Sequence, residues 1–208
     1  MVITSIERDS KVSPLLCTVT FDNGECVSVS LSVVEQFCLS KGKSLDSEAL
    51  DRLRQAADLS SVKARASKIL SYRAVSRAEL ISKLIQKGED EDNAEIAADW
   101  LEDLGLINDL DYGKMIARHY SAKGYGRGRV KNEIYHRGVP RELWDECLDE
   151  IPDSCHEIDR LLYKKLGGET PDRQELRRAS DYLQRRGFYW DEIKDAVKRY
   201  MEELEEGS

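Results

Sequence analysis

Three glycines at nearly equal spacing, Gly88, Gly138 and Gly187, constrain this 208-residue chain more than any other feature. They stand fifty and forty-nine residues apart. Each follows a basic residue (Lys87, Arg137, Arg186), and each has an apolar residue four positions earlier (Leu84, Ile134, Leu183). A basic residue followed by glycine is by itself an ordinary helix end, since a cation favours the negative end of the dipole and glycine takes the left-handed conformation. Three such ends at one period, each followed by another helical pattern, read as a module of about fifty residues repeated three times. Units that small bury their apolar faces only against neighbours. The predicted fold is therefore mainly α, three tandem three-helix repeats forming an elongated array.

The first copy reads as helices over residues 63–72, 76–88 and 92–104. Ser76-x-x-Glu79 opens the second as a capping box, with Leu80, Leu84 and Ile85 on its apolar side. The third carries Ile96, Ala97, Trp100 and Leu101 at core spacing and stops at Gly105. The second copy repeats this over 111–123 (Tyr112, Met115, Ile116, Tyr120), 128–137 (Val130, Ile134) and a helix opened by Pro140 (Leu143, Cys147, Leu148). A third, looser copy reads as 158–166, 171–186 and 191–201. Ahead of the repeats lie three strand-like runs, ITSIER, LLCTVTF and CVSVSL, and Asp22-Asn23-Gly24 predicts a hairpin in which Asn-Gly supplies the positive φ angles. LSVVEQFCLSKG reads as a short helix ending at Gly42, followed by a helix over 47–59 capped by Asp46 or Ser47. The expected division is a strand-rich segment with a β-hairpin (1–45), a linking helix with repeat 1 (46–110), repeat 2 (111–153) and repeat 3 (154–208).

No apolar run approaches the roughly 20 residues that span a bilayer, and the start lacks a basic stretch followed by an apolar one. A cytoplasmic protein without membrane contact is expected. Cys17, Cys26, Cys38, Cys147 and Cys155 form no CxxC pair and read as reduced thiols, mostly small buried hydrophobes, with Cys17 and Cys26 as candidate cross-strand neighbours. The net charge of −8 hides a segregation. Residues 61–88 hold seven bases and one acid, 89–111 ten acids and no base, 114–141 eight bases and one acid, and 142–159 eight acids and no base.

No convergent chemistry appears. His119, His136 and His156 fall in different elements, no HxxxH or HExxH spacing occurs, and Glu89 to Asp92 read as an acidic loop. No catalytic residue, metal site or cofactor is predicted. Gly124-Tyr-Gly-Arg-Gly-Arg129 follows a helix and lacks the phosphate-loop pattern, so its glycines read as a flexible connection. Its arginines, with Lys131 beside Tyr125, make a basic surface suited to phosphate chains or an acidic protein. Arg77 and Arg127 occupy equivalent positions fifty residues apart. With the acidic third helices facing elsewhere, the candidate partner-binding stripe is Arg73, Arg77, Lys83, Lys87, Tyr125, Arg127, Arg129, Lys131, Arg137, Arg177, Arg178 and Arg186, centred on Arg77 and Arg127.

The run SYRAVSRAELISKLIQKG at 71–88 and the run LEDLGLINDLDYGKMIARHYSAKGYGRGRVKNEIYHRGVPRELWDECL at 101–148 closely resemble the regulatory protein RecX family, bacterial modulators of the RecA recombinase. The resemblance rests on R-x-x-S-R-x-E-L-x-x-K-L-x-x-K-G from Arg73 to Gly88, the run from Gly105 to Asp109, Tyr112, and the glycine-and-base pattern from Gly126 to Gly138, and covers about 145 residues. Gly113 stands where the family usually has alanine. The resemblance implies a non-enzymatic protein that lies along the groove of the RecA–DNA filament and limits its growth, ATPase and strand exchange. RecA is then the partner, with single- or double-stranded DNA as a further candidate, and the protein acts as a monomer. The alternatives from the residues are a helical protein binding DNA directly through basic second helices, and an interaction scaffold unconnected with recombination.

Overall fold

A computed structural model describes residues 1–8, 16–152 and 155–206. Leu15, the first residue of the second expected strand, the expected boundary at 153/154 and the last two positions of the third repeat lie outside the described residues. The chain forms two compact units. One holds Met1–Ala74 and Leu80–Leu106, the other Val75–Glu79 and everything from Ile107 onward.

The first unit opens with an antiparallel sheet in the order β1 (Ile3–Arg8), β2 (Leu16–Phe21), β3 (Cys26–Ser30). The predicted hairpin is present, but its backbone differs. Gly24 donates to the Phe21 carbonyl (3.0 Å) and Phe21 to the Glu25 carbonyl (2.9 Å), and only Gly24 has positive φ. This is a type I turn closed by a left-handed glycine, so Asn23 needs no strained angle. Cys17 sits opposite Val29 and Cys26 opposite Thr20, so the two thiols are not cross-strand neighbours. Of the five cysteines only Cys17 and Cys147 are buried, fewer than predicted.

α1 (Leu31–Gln36) ends six residues before Gly42. Cys38 takes φ +46, with its N–H on the Glu35 carbonyl and that of Leu39 on the Val34 carbonyl, a closed C-terminal motif that buries Leu39. α2 is one 26-residue helix, Ser47–Tyr72, capped by Asp46, where two helices are predicted. No Gly or Pro interrupts residues 47–72, and Leu50, Leu53 and Ala57 complete the sheet core while Val62 and Ala66 are buried further along. α3 (Arg77–Gln86) buries Leu80 and Leu84 and leaves Ile85 exposed. α4 (Glu91–Asp103) buries Ala94, Ala97, Ala98 and Leu101, with Ile96 exposed. Alanines on that face let the helix approach α2 closely, and the larger Ile96 falls outside it. The acidic run is a helix start: the Asp90 carboxylate accepts from the N–H groups of Asp92 and Asn93, and Glu89 pairs with Arg65.

In the second unit α5 (Asp109–Ser121, capped by Asn108), α6 (Arg127–His136) and, after a single 3-10 turn at Arg141–Leu143, α7 (Trp144–Leu148) enclose Tyr112, Ile116, Ala117, Val130, Ile134, Val139, Cys147 and Leu148. Met115 is exposed. α8 (Cys155–Leu166), α9 (Arg173–Arg185) and α10 (Trp190–Glu206) enclose a second cluster around Ile158, Leu162, Leu183 and Ile193. Acids of α7 and the turn after it are paired in space with bases of α5: Glu146 accepts from Lys114 (2.7 Å) and Glu150 from Arg118 (2.9 Å).

Gly113 shows how closely α5 approaches α7. A Cβ built there overlaps the Cys147 sulfur, which is fully buried and whose thiol pKa burial pushes up. Gly113→Ala would gain about 1 kcal/mol of helix propensity but crowd the sulfur at a cost of about 2–3 kcal/mol. The expected net loss is about 1–2 kcal/mol in urea unfolding. In a Cys147→Ala background the same change should stabilise, and stabilisation by Gly113→Ala in the wild type would refute the contact.

Candidate partner-binding surface

The glycines of the Gly124–Arg129 string make a junction rather than a loose connection. Gly126 N–H donates to the Arg186 carbonyl and Gly128 N–H to the Gly187 carbonyl, each at 2.9 Å. A Cβ on Gly126 would lie 2.5 Å from the Gly187 oxygen, and one on Gly187 would overlap the Arg129 backbone nitrogen. Two backbones therefore touch where only glycine fits. Fifty residues earlier the arrangement recurs within the same unit. Ser76, at the position of Gly126, donates its hydroxyl to the Arg137 carbonyl, and a Cβ on Gly138 would stand 2.9 Å from the Ala78 Cβ. Ser76 is fully buried and also accepts from Glu79 N–H (3.0 Å), the first half of the predicted capping box. The repeat recognised in sequence is thus a repeated joint: the left-handed glycine ending one second helix docks on the start of the preceding one. In the third copy α9 starts fourteen residues before its glycine, against eleven for α3 and α6. Arg177 occupies the position of Ala78 and Gly128, and the extra turn replaces the small-residue seat.

Around this joint the predicted site residues take different roles. Arg137 is half-buried, donates to the Tyr112 hydroxyl (3.2 Å) and pairs with Glu133 (3.7 Å). The Tyr112 hydroxyl holds its guanidinium well above the usual arginine range. Arg186 donates to the carbonyls of Lys123 (3.2 Å) and Gly124 (2.8 Å), its guanidinium over the rings of Tyr125 and Tyr182. Tyr125 packs on Tyr120 with centroids 5.7 Å apart. Arg127 lies 3.9 Å from Asp149, an acid of the third-helix segment that was expected to face elsewhere. Arg77 offers its backbone N–H to the Asp109 carboxylate (2.8 Å). In the first unit Arg73 closes α2, Lys83 is half-buried in α3, and Lys87 is exposed after it.

The more open bases gather on two grooves flanking α9. One, of about 390 Å³, is lined by Arg129, Lys131, Arg185 and Tyr189. The other, of about 770 Å³, is lined by Arg173, Arg177, Asp181 and Trp190. Arg178 is exposed on the same helix. Arg129 pairs with Glu133 at 2.8 Å, and Lys131 leans over the Trp144 ring at 5.6 Å. Sequence reasoning does not single out Arg173, Arg185, Tyr189 or Trp190. The available signal was the aromatic run Phe188-Tyr189-Trp190 directly after the periodic glycine, of which only Phe188 is buried. Among the described residues no group of His, Cys, Asp and Glu is placed to hold a metal ion, and no helix is long and apolar enough to cross a membrane.

Comparison with known proteins places these features. Residues 108–148 match the RecX second three-helix domain and residues 158–197 the RecX third three-helix domain. The regulatory protein RecX of Vibrio campbellii is 32% identical over 145 residues, 69% of this chain and 93% of that protein. This chain belongs to the regulatory protein RecX family. A crystal structure of a regulatory protein RecX superposes with a TM-score of 0.77 over 93% of this chain and 98% of that one at 22% identity, a likeness of fold. RecX from Lactobacillus salivarius aligns with a TM-score of 0.65 over 70% of this chain at 23% identity. The RecX domain matches fall on the α5–α7 and α8–α10 triplets, whose two apolar clusters are described above.

Proposed function

We propose that this RecX-family chain is a non-enzymatic regulator of homologous recombination and the SOS response. It binds the RecA–DNA filament and inhibits filament growth, ATPase and strand exchange, acting in the cytoplasm as a monomer. The observation that carries this reading is the match to regulatory RecX proteins over more than nine-tenths of their length. The basic groove residues beside the joint support it. A filament offers both phosphate chains and protein carboxylates, and a surface of arginines suits either.

The test is RecA ATPase on single-stranded DNA with increasing amounts of this protein, alongside filament length. The expected result is progressive loss of ATPase and shorter filaments. Reversing Arg77, Arg127 and Arg129 together to glutamate should weaken inhibition by at least about tenfold, roughly 1.4 kcal/mol, with helical content retained by circular dichroism. Unchanged ATPase at large excess overturns the reading. A second reading, direct binding of DNA through phosphate contacts of the second helices, gains from Lys131, Arg173, Arg177 and Arg185 on the two grooves, which have no ion pair among the described residues. It prevails if bare duplex is bound tightly at physiological salt and RecA filaments add nothing.

A further inference from the structure

The sheet of the first unit treats its two edges differently. β1 is closed: Ile3 N–H donates to the Lys43 carbonyl (2.9 Å), Gly42 N–H to the Ile3 carbonyl (2.8 Å) and Leu45 N–H to the Met1 carbonyl (2.8 Å), and its register breaks between Ile3 and Ser5. β3 lacks the charges, prolines and bulges that commonly keep an edge strand from pairing further. Residues 26–34 hold no charged residue and no proline, and the β2–β3 register is unbroken. The Phe21–Glu25 bond sets the phase of the ladder. Bonded pairs alternate, so Val27 and Val29 turn their main-chain groups to Val19 and Cys17, while Cys26 and Ser28 turn theirs outward. Among the described residues nothing bonds those outward groups.

α2 runs beside this open edge and is tied to it twice: Arg54 pairs with Glu25 (2.5 Å), and the Ser60 hydroxyl donates to that of Ser30 (2.7 Å). Between helix and strand lies a groove of about 430 Å³ whose lining includes Cys26, Ser28, Ser30, Ala57, Asp58 and Ser61. Side chains this small let another main chain approach to the strand spacing of about 4.8 Å. Arg54 is held by Glu25 and Asp51, whereas Asp58 has no ion pair among the described residues, so the groove offers an acid to its occupant. We infer that β3 and α2 form a docking groove for an extended segment of a partner protein, which adds to the sheet as a fourth strand. Its main chain exchanges hydrogen bonds with Cys26 and Ser28, the source of affinity in strand addition. Its alternate side chains face α2, small apolar ones over Ala57 and a basic one toward Asp58. The proposed function gives the sheet no task, and the groove shares no residue with the basic candidates above, so the two can fail separately.

The experiment is amide hydrogen exchange of the full chain by NMR, with and without an end-blocked peptide of alternating valine and threonine that carries one lysine. In the free protein the Val27 and Val29 amides should be protected and the Ser28 amide should exchange fast. Saturating peptide should slow exchange at Ser28 by at least about tenfold. Ser28→Pro removes the outward N–H at a place where an edge strand tolerates proline, and it should weaken peptide binding about tenfold. Asp58→Lys, on an exposed position of α2, should keep the wild-type melting temperature, weaken the lysine peptide and favour its glutamate counterpart. A Ser28 amide already protected in the free chain overturns the groove, because the edge is then covered from within. Protection that grows with protein concentration overturns it in favour of a second copy as occupant. No protection by peptide up to its solubility limit, or equal binding of both peptides by wild type and Asp58→Lys, also overturns it.

Discussion

Gly187→Ala is expected to destabilise the second unit by about 4 kcal/mol, far more than the same change at Gly88. Both glycines sit at the end of a second helix with nearly equal φ, +91 and +90. The left-handed strain of alanine, about 1–2 kcal/mol, is therefore common to both. What differs is the surroundings: nothing lies within 4 Å of a Cβ on Gly88, whereas one on Gly187 overlaps the Arg129 backbone. Backbone cannot rotate aside as a side chain can. Relief requires separating α9 from α6, which breaks the Gly126 and Gly128 hydrogen bonds at about 1 kcal/mol each. In a unit of about one hundred residues the loss should lower Tm by more than about 10 °C. Calorimetry of both variants tests this, and equal costs at the two sites would show that the joint contributes nothing.

Arg186→Ala should cost about 2–3 kcal/mol in urea unfolding. The guanidinium donates to the Lys123 and Gly124 carbonyls beyond the end of α5, and charge-assisted bonds of this kind contribute about 1.5–3 kcal/mol before allowance for partial exposure. Its position 5.1 Å from the Tyr125 centroid and 5.3 Å from that of Tyr182 adds about 0.5–1 kcal/mol. Lysine keeps the charge but loses the planar fork, so Arg186→Lys should recover less than half. A double-mutant cycle with Tyr125→Ala should give a coupling above about 0.5 kcal/mol. A wild-type midpoint for Arg186→Lys would remove the fork from the account.

The basic residue before each periodic glycine is a candidate for partner binding by its charge. In space, Arg137 and Arg186 direct their guanidinium groups to a tyrosine hydroxyl and to main-chain carbonyls of the preceding helix triplet. The bases left on open grooves are Lys131, Arg173 and Arg177, each a turn or more away, and Arg185, the neighbour of Arg186.

Local signals made much of the fold legible. Strand alternation and the Asp22-Asn23-Gly24 turn placed the sheet, glycines and caps placed most helix ends, and the repeat placed equivalent positions. Where the reading failed, the deciding partner was distant in sequence. Ile85, Ile96 and Met115 follow helical periodicity yet are exposed, and for Ile96 the reason is that Ala94, Ala97 and Ala98 form the buried face of α4. The predicted break near residue 60 does not exist, since one helix runs on from the sheet core to α4.

The sequence by itself determined a mainly helical, glycine-punctuated repeat, its acidic and basic segments and its RecX resemblance, all carried by residues adjacent or at short period. Only the tertiary structure decided that the glycines of the Gly124–Arg129 string are seats for another backbone, that the arginines before the periodic glycines turn inward, and that Tyr189 and Trp190 turn outward. Steric exclusion and hydrogen-bond partnering act between atoms brought together by folding, such as Gly126 and Gly187, sixty-one residues apart, and no local pattern encodes that distance.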